Sequence, residues 1–259
     1  MAQTVTAVTA RNLLQKDQIG TDGAHGFAQF MQHEFAIKGS KALVNVDRQY
    51  LERRRVSILH GFTGSPIMFE LIFGLLLFLG VHSTRIFADP WRTAMRERLG
   101  PGRWKGLYTL VSLLGLGLLI YGWGQARLEP VVLWQVPRSL KHLAALLTLV
   151  AFVFFVAAYV PGNSIKARLH HPMVLGTKAW ALAHLVSNNT VADLVLFGAF
   201  LAWSTVLFVV SRRRDRLVQA MYQPGRFGPT VLTVALGVLL WAAFALWLHG
   251  FLIGVRPLG

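Results

Sequence analysis

From residue 68 onward this chain alternates between long apolar stretches and short polar, basic ones. The apolar stretches run over about 68–87, 107–124, 140–160, 172–187, 190–210 and 230–254. Each comes near the roughly 20 residues that a helix needs to cross a bilayer. The fourth is short, and the fifth follows it at once through Ser187-Asn188-Asn189-Thr190. Thr190, with Asp193 three residues on, has the form of a helix N-cap, so these two stretches are expected to form an antiparallel hairpin. Between the first two stretches, Asp89-Pro90 is expected to open a short helix as N-cap and first residue, and Gly100-Pro101-Gly102 to close it. That helix carries Arg92, Arg96 and Arg98 and should lie at headgroup level. The expected fold is all-α: a polytopic membrane protein, a bundle of about six transmembrane helices.

Composition agrees with the pattern. Of 259 residues 54% are hydrophobic and 14% charged, with mean hydropathy +0.49; an ordinary soluble domain has about 25% charged residues. The formal net charge of +15 does not mark a nucleic-acid binder, because the basic residues fall between the apolar stretches. There they read as topology signals and as contacts to membrane lipids.

The loops also set an orientation. Residues 83–106, 161–172 and 211–229 hold six, two and five Lys or Arg. The alternate loops, 125–141 and 187–193, and the C-terminal segment hold three, none and one. The positive-inside rule puts the first set in the cytoplasm.

Residues 1–67 stand apart as a polar extension. They lack an apolar signal-peptide core, and Arg53-Arg54-Arg55 opposes their passage across a membrane. Met68 stands at the start of the first apolar stretch, so the extension is read as an over-called start and 68–259 as the membrane domain. His60-Gly61-Phe62-Thr63-Gly64-Ser65-Pro66 looks like a hydrolase oxyanion loop, but the chain has no G-x-S-x-G elbow and no alternation of strand and helix.

The chain has no cysteine, which removes iron–sulfur clusters, thiolate chemistry and covalent haem attachment. The segment HHPMVLGTKAWALAHLVSNNTVADLVLFGAF (170–200) is apolar enough for a bilayer yet carries ionisable residues, which in a membrane are candidates for function. His82 and His184 lie well inside apolar stretches. His142 and His249 lie near the ends of theirs, and His170 and His171 precede Pro172 at a helix start. A lone membrane histidine commonly serves as an interhelical hydrogen-bond partner. Two embedded histidines without cysteine also suit the axial positions of b-type haem. Zinc would want three or four ligands in close array, often in H-E-x-x-H, and no such motif occurs.

FLGVHSTRIF (78–87), RLGPGRWKGLYTLVSLLGLGLLIYGWGQAR (98–127), NSIKARLHHPMVLGTKAWALAHLVSNN (163–189) and LFGAFLAW (196–203) together resemble the NnrU family. The resemblance covers about 68–215 well. It implies a multi-pass protein of the bacterial inner (plasma) membrane, associated with denitrification and nitric oxide metabolism. It also implies kinship with the plant 15-cis-zeta-carotene isomerase, which uses haem b. The two iron ligands of that relative fall on His82 and His184, and His171 is a further family position. Ala181 stands where the relative has a cysteine that can exchange as ligand.

The resemblance thus implies haem b held by His82 and His184. Helix geometry sets these two at depths differing by roughly 10 Å, and His171 matches the depth of His82 better. The expected function is a haem-binding membrane protein acting on nitric oxide or beside a reductase complex. The alternatives are a cis–trans isomerase of a carotenoid-like polyene and a non-catalytic assembly factor or scaffold.

Overall fold

The computed structural model describes residues 66–258. Residues 1–65, with nearly all of the polar extension and of the hydrolase-like loop, lie outside these residues, whereas Met68 lies within the first helix. The described residues fold into helices: α1 (Pro66–Phe87), α2 (Asp89–Leu99), α3 (Pro101–Ala126), α4 (Arg138–Tyr159), α5 (Ser164–Leu169), α6 (Pro172–Ser187), α7 (Val191–Leu217), α8 (Phe227–Ala243) and, after a π-helical turn at Phe244–Leu248, α9 (His249–Ile253). The chain is an all-α membrane bundle, as its pattern predicts.

Among the described residues, five helical stretches are long and apolar enough to cross a bilayer: 68–87, 101–126, 138–159, 191–217 and 227–253. The sixth expected crossing, α6, has 16 residues and so rises only about 24 Å, short of the roughly 30 Å hydrocarbon core. It still joins the two ends of the bundle. At its start His171 meets Asp215 near the end of α7. Past its end, Leu133 N–H donates to Asn189 O at 2.7 Å and Val191 N–H to Val131 O at 3.0 Å, so the 127–137 loop lies against the α6–α7 turn.

The helices pack in the order α3, α1, α7, α6, α4, α8, and α7 also touches α3. Lipid tails supply no hydrophobic drive between helices, so close backbone approach has to supply the contact. Glycine provides it between α1 and α3. A Cβ on Gly74 would stand 2.5 Å from Leu119 N, and one on Gly122 would stand 2.4 Å from Leu71 N. The Gly198 and Ala202 pair in α7 could have served the same purpose, but nothing lies within 4 Å of a Cβ built on Gly198. Large apolar side chains such as Leu113, Ile120, Leu239 and Trp247 stay exposed on the outer helices, as expected for surfaces in contact with lipid.

Local chemistry fixes the helix ends. Thr190 caps α7 as expected: its Oγ1 accepts from Asp193 N at 3.2 Å and donates to Asp193 Oδ2 at 2.6 Å. Asn163 caps α5, accepting from Lys166 N–H at 2.7 Å, while its amide donates to the carbonyls of Ala157 and Val160. Asp89 proves to be the first residue of α2 rather than its cap, and there its carboxylate faces Arg92 at 3.5 Å. Gly100 ends α2 at φ +80°, a backbone conformation that costs other residues their Cβ clearance.

Candidate functional site: a histidine-lined cavity at one end of the bundle

His82 and His184 share one local arrangement. His82 Nδ1 donates to Phe78 O at 2.6 Å, and His184 Nδ1 donates to Trp180 O at 2.9 Å, each one helical turn back. A carbonyl can only accept, so the proton sits on Nδ1 and the Nε2 lone pair is left free. Metal-ligating imidazoles are held in this way.

The two rings do not meet. Phe78, Tyr108 and Trp203 surround His82, with centroids at 4.4, 5.3 and 6.3 Å. His184 stacks on Phe197 at 4.4 Å and packs against Trp180 at 5.1 Å. Phe200 stands between the two groups, 6.0 Å from Phe78 and 5.4 Å from Trp180. The α7 residues they touch, Trp203 and Phe197, differ by six positions, roughly 9 Å along the helix axis. That offset matches the depth difference expected from the sequence.

His184 instead lines a cavity of about 300 Å³ bounded by α4, α6, the π-helical turn and residues 255–258. This volume is at the lower end of small-molecule and cofactor sites, about 300–1,000 Å³. Its walls are aromatic (Phe152, Phe155, Trp180, Trp241 and Phe244) and small (Ala144, Ala145, Ala183 and Ala245). Trp241 Nε1–H donates to Thr148 Oγ1 at 3.0 Å, which pins one wall between α8 and α4. His249, Lys141 and Arg256 line the same cavity. It sits at the end of the bundle that carries the α6–α7 turn, the end assigned by loop charge to the non-cytoplasmic side.

The opposite, basic end holds a separate polar cluster. His171 Nε2 lies 2.7 Å from Asp215 Oδ2, and Tyr222 O–H donates to the same oxygen at 2.9 Å. His170 stacks on Tyr222 at 3.9 Å and its Nδ1 meets Arg212. Burial, and then the hydrogen bond to Asp215, holds the Tyr222 phenol above its ordinary pKa. The carboxylate therefore takes up His171, the further position named from the sequence. Lys166, in the basic 163–168 loop, donates to Ala158 O at 2.9 Å, which gives it a structural part in closing α4. Among the described residues no three His, Asp or Glu side chains gather in a zinc-like array.

The family model described as NnrU protein matches residues 70–257. The chain belongs to the NnrU family. Comparison with curated proteins and with solved structures found no match.

Sequence reasoning reached His184 but missed its neighbours. His249 reads as a span-end residue in the sequence, Lys141 as one of three outer charges, and Arg256 as an isolated tail charge. Only the π-helical turn and the fold of residues 255–258 gather them, and neither has a signal in the residue pattern.

Proposed function

We propose that this NnrU-family chain binds haem b through His184 and acts in nitric oxide metabolism beside the denitrification machinery of a bacterial inner membrane. The observation that carries this reading is the state of His184: Nδ1 tied to Trp180 O, Nε2 free, on the wall of an aromatic cavity. The donor set suits haem. An apolar slot with imidazole and no thiol or carboxylate cluster favours a flat macrocycle over a bare metal ion.

When bound, haem b supplies a one-electron couple and an iron that takes a diatomic ligand. The chain's own part is to position and to exclude. The Trp180 carbonyl fixes the tautomer of His184 and raises its basicity. Trp180, Trp241 and Phe244 keep water from the slot. The partners on this reading are membrane lipids, nitric oxide and a reductase complex.

The test is haem stoichiometry in the full chain, purified in detergent from cells supplied with haem. The expected result is near one haem b per chain, a shift of the reduced spectrum on adding nitric oxide, and loss of haem in His184→Ala. A colourless wild-type protein would overturn the reading and leave a scaffold.

A further inference from the structure

We propose that the groove between α1 and α7 seats one anionic phospholipid of the cytoplasmic leaflet, with an acyl chain laid over Gly80 and the phosphate held by Arg85 and Arg214. This inference is independent of the haem reading, because no residue of the groove lines the His184 cavity.

The shape comes from the residues of α1. Ile72, Leu76, Gly80, Thr84 and Ala88 are spaced four apart, so they stack along one helix face. Ala88 N–H still bonds to Thr84 O at 2.9 Å, so the helical path runs to the end of that stripe. The side chains shorten toward the basic end. From α7, Val195 and Ala199, one turn apart, form the facing wall, and the groove so bounded is open and holds about 610 Å³. A Cβ on Gly80 would meet nothing within 4 Å, whereas one on Gly74 would strike the Leu119 backbone. Gly74 therefore serves helix packing, and Gly80 leaves a space that the described chain does not fill.

The length suits an acyl chain. The step from Ile72 to Ala88 covers roughly 24 Å of helix. One leaflet offers roughly 15 Å of hydrocarbon, half of the bilayer core. A chain entering at the Ala88 end can thus follow the groove through its whole leaflet.

The Ala88 end also carries the charge. Arg214, near the end of α7, reaches across and donates to Arg85 O at 2.9 Å, which uses one of the five N–H donors of its guanidinium. Arg85 is exposed, and neither arginine has an acidic partner among the described residues. The planar guanidinium fork matches the oxygens of a phosphate. Trp91, exposed just beyond and packed on Trp104 at 6.0 Å, marks the level of the headgroups. An apolar groove and cations without acidic partners therefore meet where the tail and head of a phospholipid meet.

A stripe of small residues also suits a second helix, but charge argues against a second copy here. A two-fold contact on this face would bring Arg85 and Arg214 toward their own counterparts, and like charges so placed repel. An anionic headgroup neutralises them instead. Loop charge assigns this end to the cytoplasm, where the membrane surface is negative.

The experiment is native mass spectrometry of the full chain, stripped of lipid in detergent and titrated with dioleoylphosphatidylglycerol or dioleoylphosphatidylcholine, which have the same acyl chains. Wild type should hold one phosphatidylglycerol more tightly than phosphatidylcholine. Arg85→Gln with Arg214→Gln should weaken phosphatidylglycerol binding about fivefold for each arginine removed and bring the two lipids level. Gly80→Leu fills the groove with every charge in place and should weaken both lipids. Gly117→Leu, which adds the same bulk at another open glycine, in α3, should match wild type. Equal affinity of wild type for the two lipids, or unchanged binding in Gly80→Leu, would overturn the proposal. So would a dimer mass that Gly80→Leu abolishes, since a second copy would then occupy the groove.

Discussion

Trp123 Nε1–H donates to Asp193 Oδ1 at 3.1 Å and so ties the end of α3 to the first turn of α7. Asp193 is almost fully buried, and Thr190 O–H donates to its other oxygen. Its position in the first turn also places the carboxylate where the helix dipole favours negative charge. One side chain therefore holds the Thr190 cap of α7, takes up the Trp123 donor and anchors α3 at the cavity end of the bundle.

Removing that acceptor should be costly. Asp193→Leu leaves the Trp123 indole N–H without a partner, and a buried donor left so costs about 1–3 kcal/mol. Trp123→Phe removes the donor and leaves Asp193 in place, still accepting from Thr190 O–H and still bracing the start of α7, so it should cost less. Thermal melting in detergent checks the order: Asp193→Leu should melt well below Trp123→Phe, and equal melting would contradict the arrangement.

Gly122 has no room for a side chain. A Cβ there meets Leu71 backbone atoms at 2.4 and 2.8 Å, which cannot move aside as a flexible side chain could. Gly122→Leu should destabilise the α1–α3 pair by about 1–3 kcal/mol or more, as overpacking does. Gly198→Ala meets open space and should be near neutral. Melting both variants tests the claim, and tolerance of Gly122→Leu would count against it.

His171 is engaged at the basic end by Asp215. His171→Ala should therefore leave haem stoichiometry at the wild-type level while lowering thermal stability. Asp215→Ala should lower it further, since both His171 and Tyr222 lose their shared acceptor. Loss of haem in His171→Ala would move a ligand to the other end of the bundle.

The orientation can be read directly, because a chain without cysteine accepts single reporters. Arg213→Cys on the basic end should resist a membrane-impermeant maleimide in intact cells. Glu129→Cys, in the loop over the α6–α7 turn, should be labelled. The reverse pattern would invert the topology assigned from loop charge.

Much of the architecture was legible in the residues. The long apolar runs and the Thr190–Asp193 cap foretold the bundle and the α6–α7 hairpin, because span length and capping are local properties. The α1–α3 seam was less so. Gly74, Gly115 and Gly122 carry it, yet in the sequence they look no different from Gly198, since glycine marks a close approach only once a partner helix is placed. At the site, the pattern identified His184 but not its setting. His249 joins the cavity through a single underwound turn, and helical periodicity assumes a regular helix there. His82 is equally well prepared as a ligand by Phe78 O, but its ring is packed among Phe78, Tyr108 and Trp203. Which imidazoles share a slot depends on helix order and depth, which only the fold supplies.

The most direct measurement is the position of iron in the haem-supplied full chain, located by anomalous scattering or by cryo-EM density in nanodiscs. The account predicts one iron site at about 2 Å, the metal–imidazole bond length, from His184 Nε2, inside the cavity between α4, α6 and the π-helical turn. No iron, or iron bound away from His184, would contradict it.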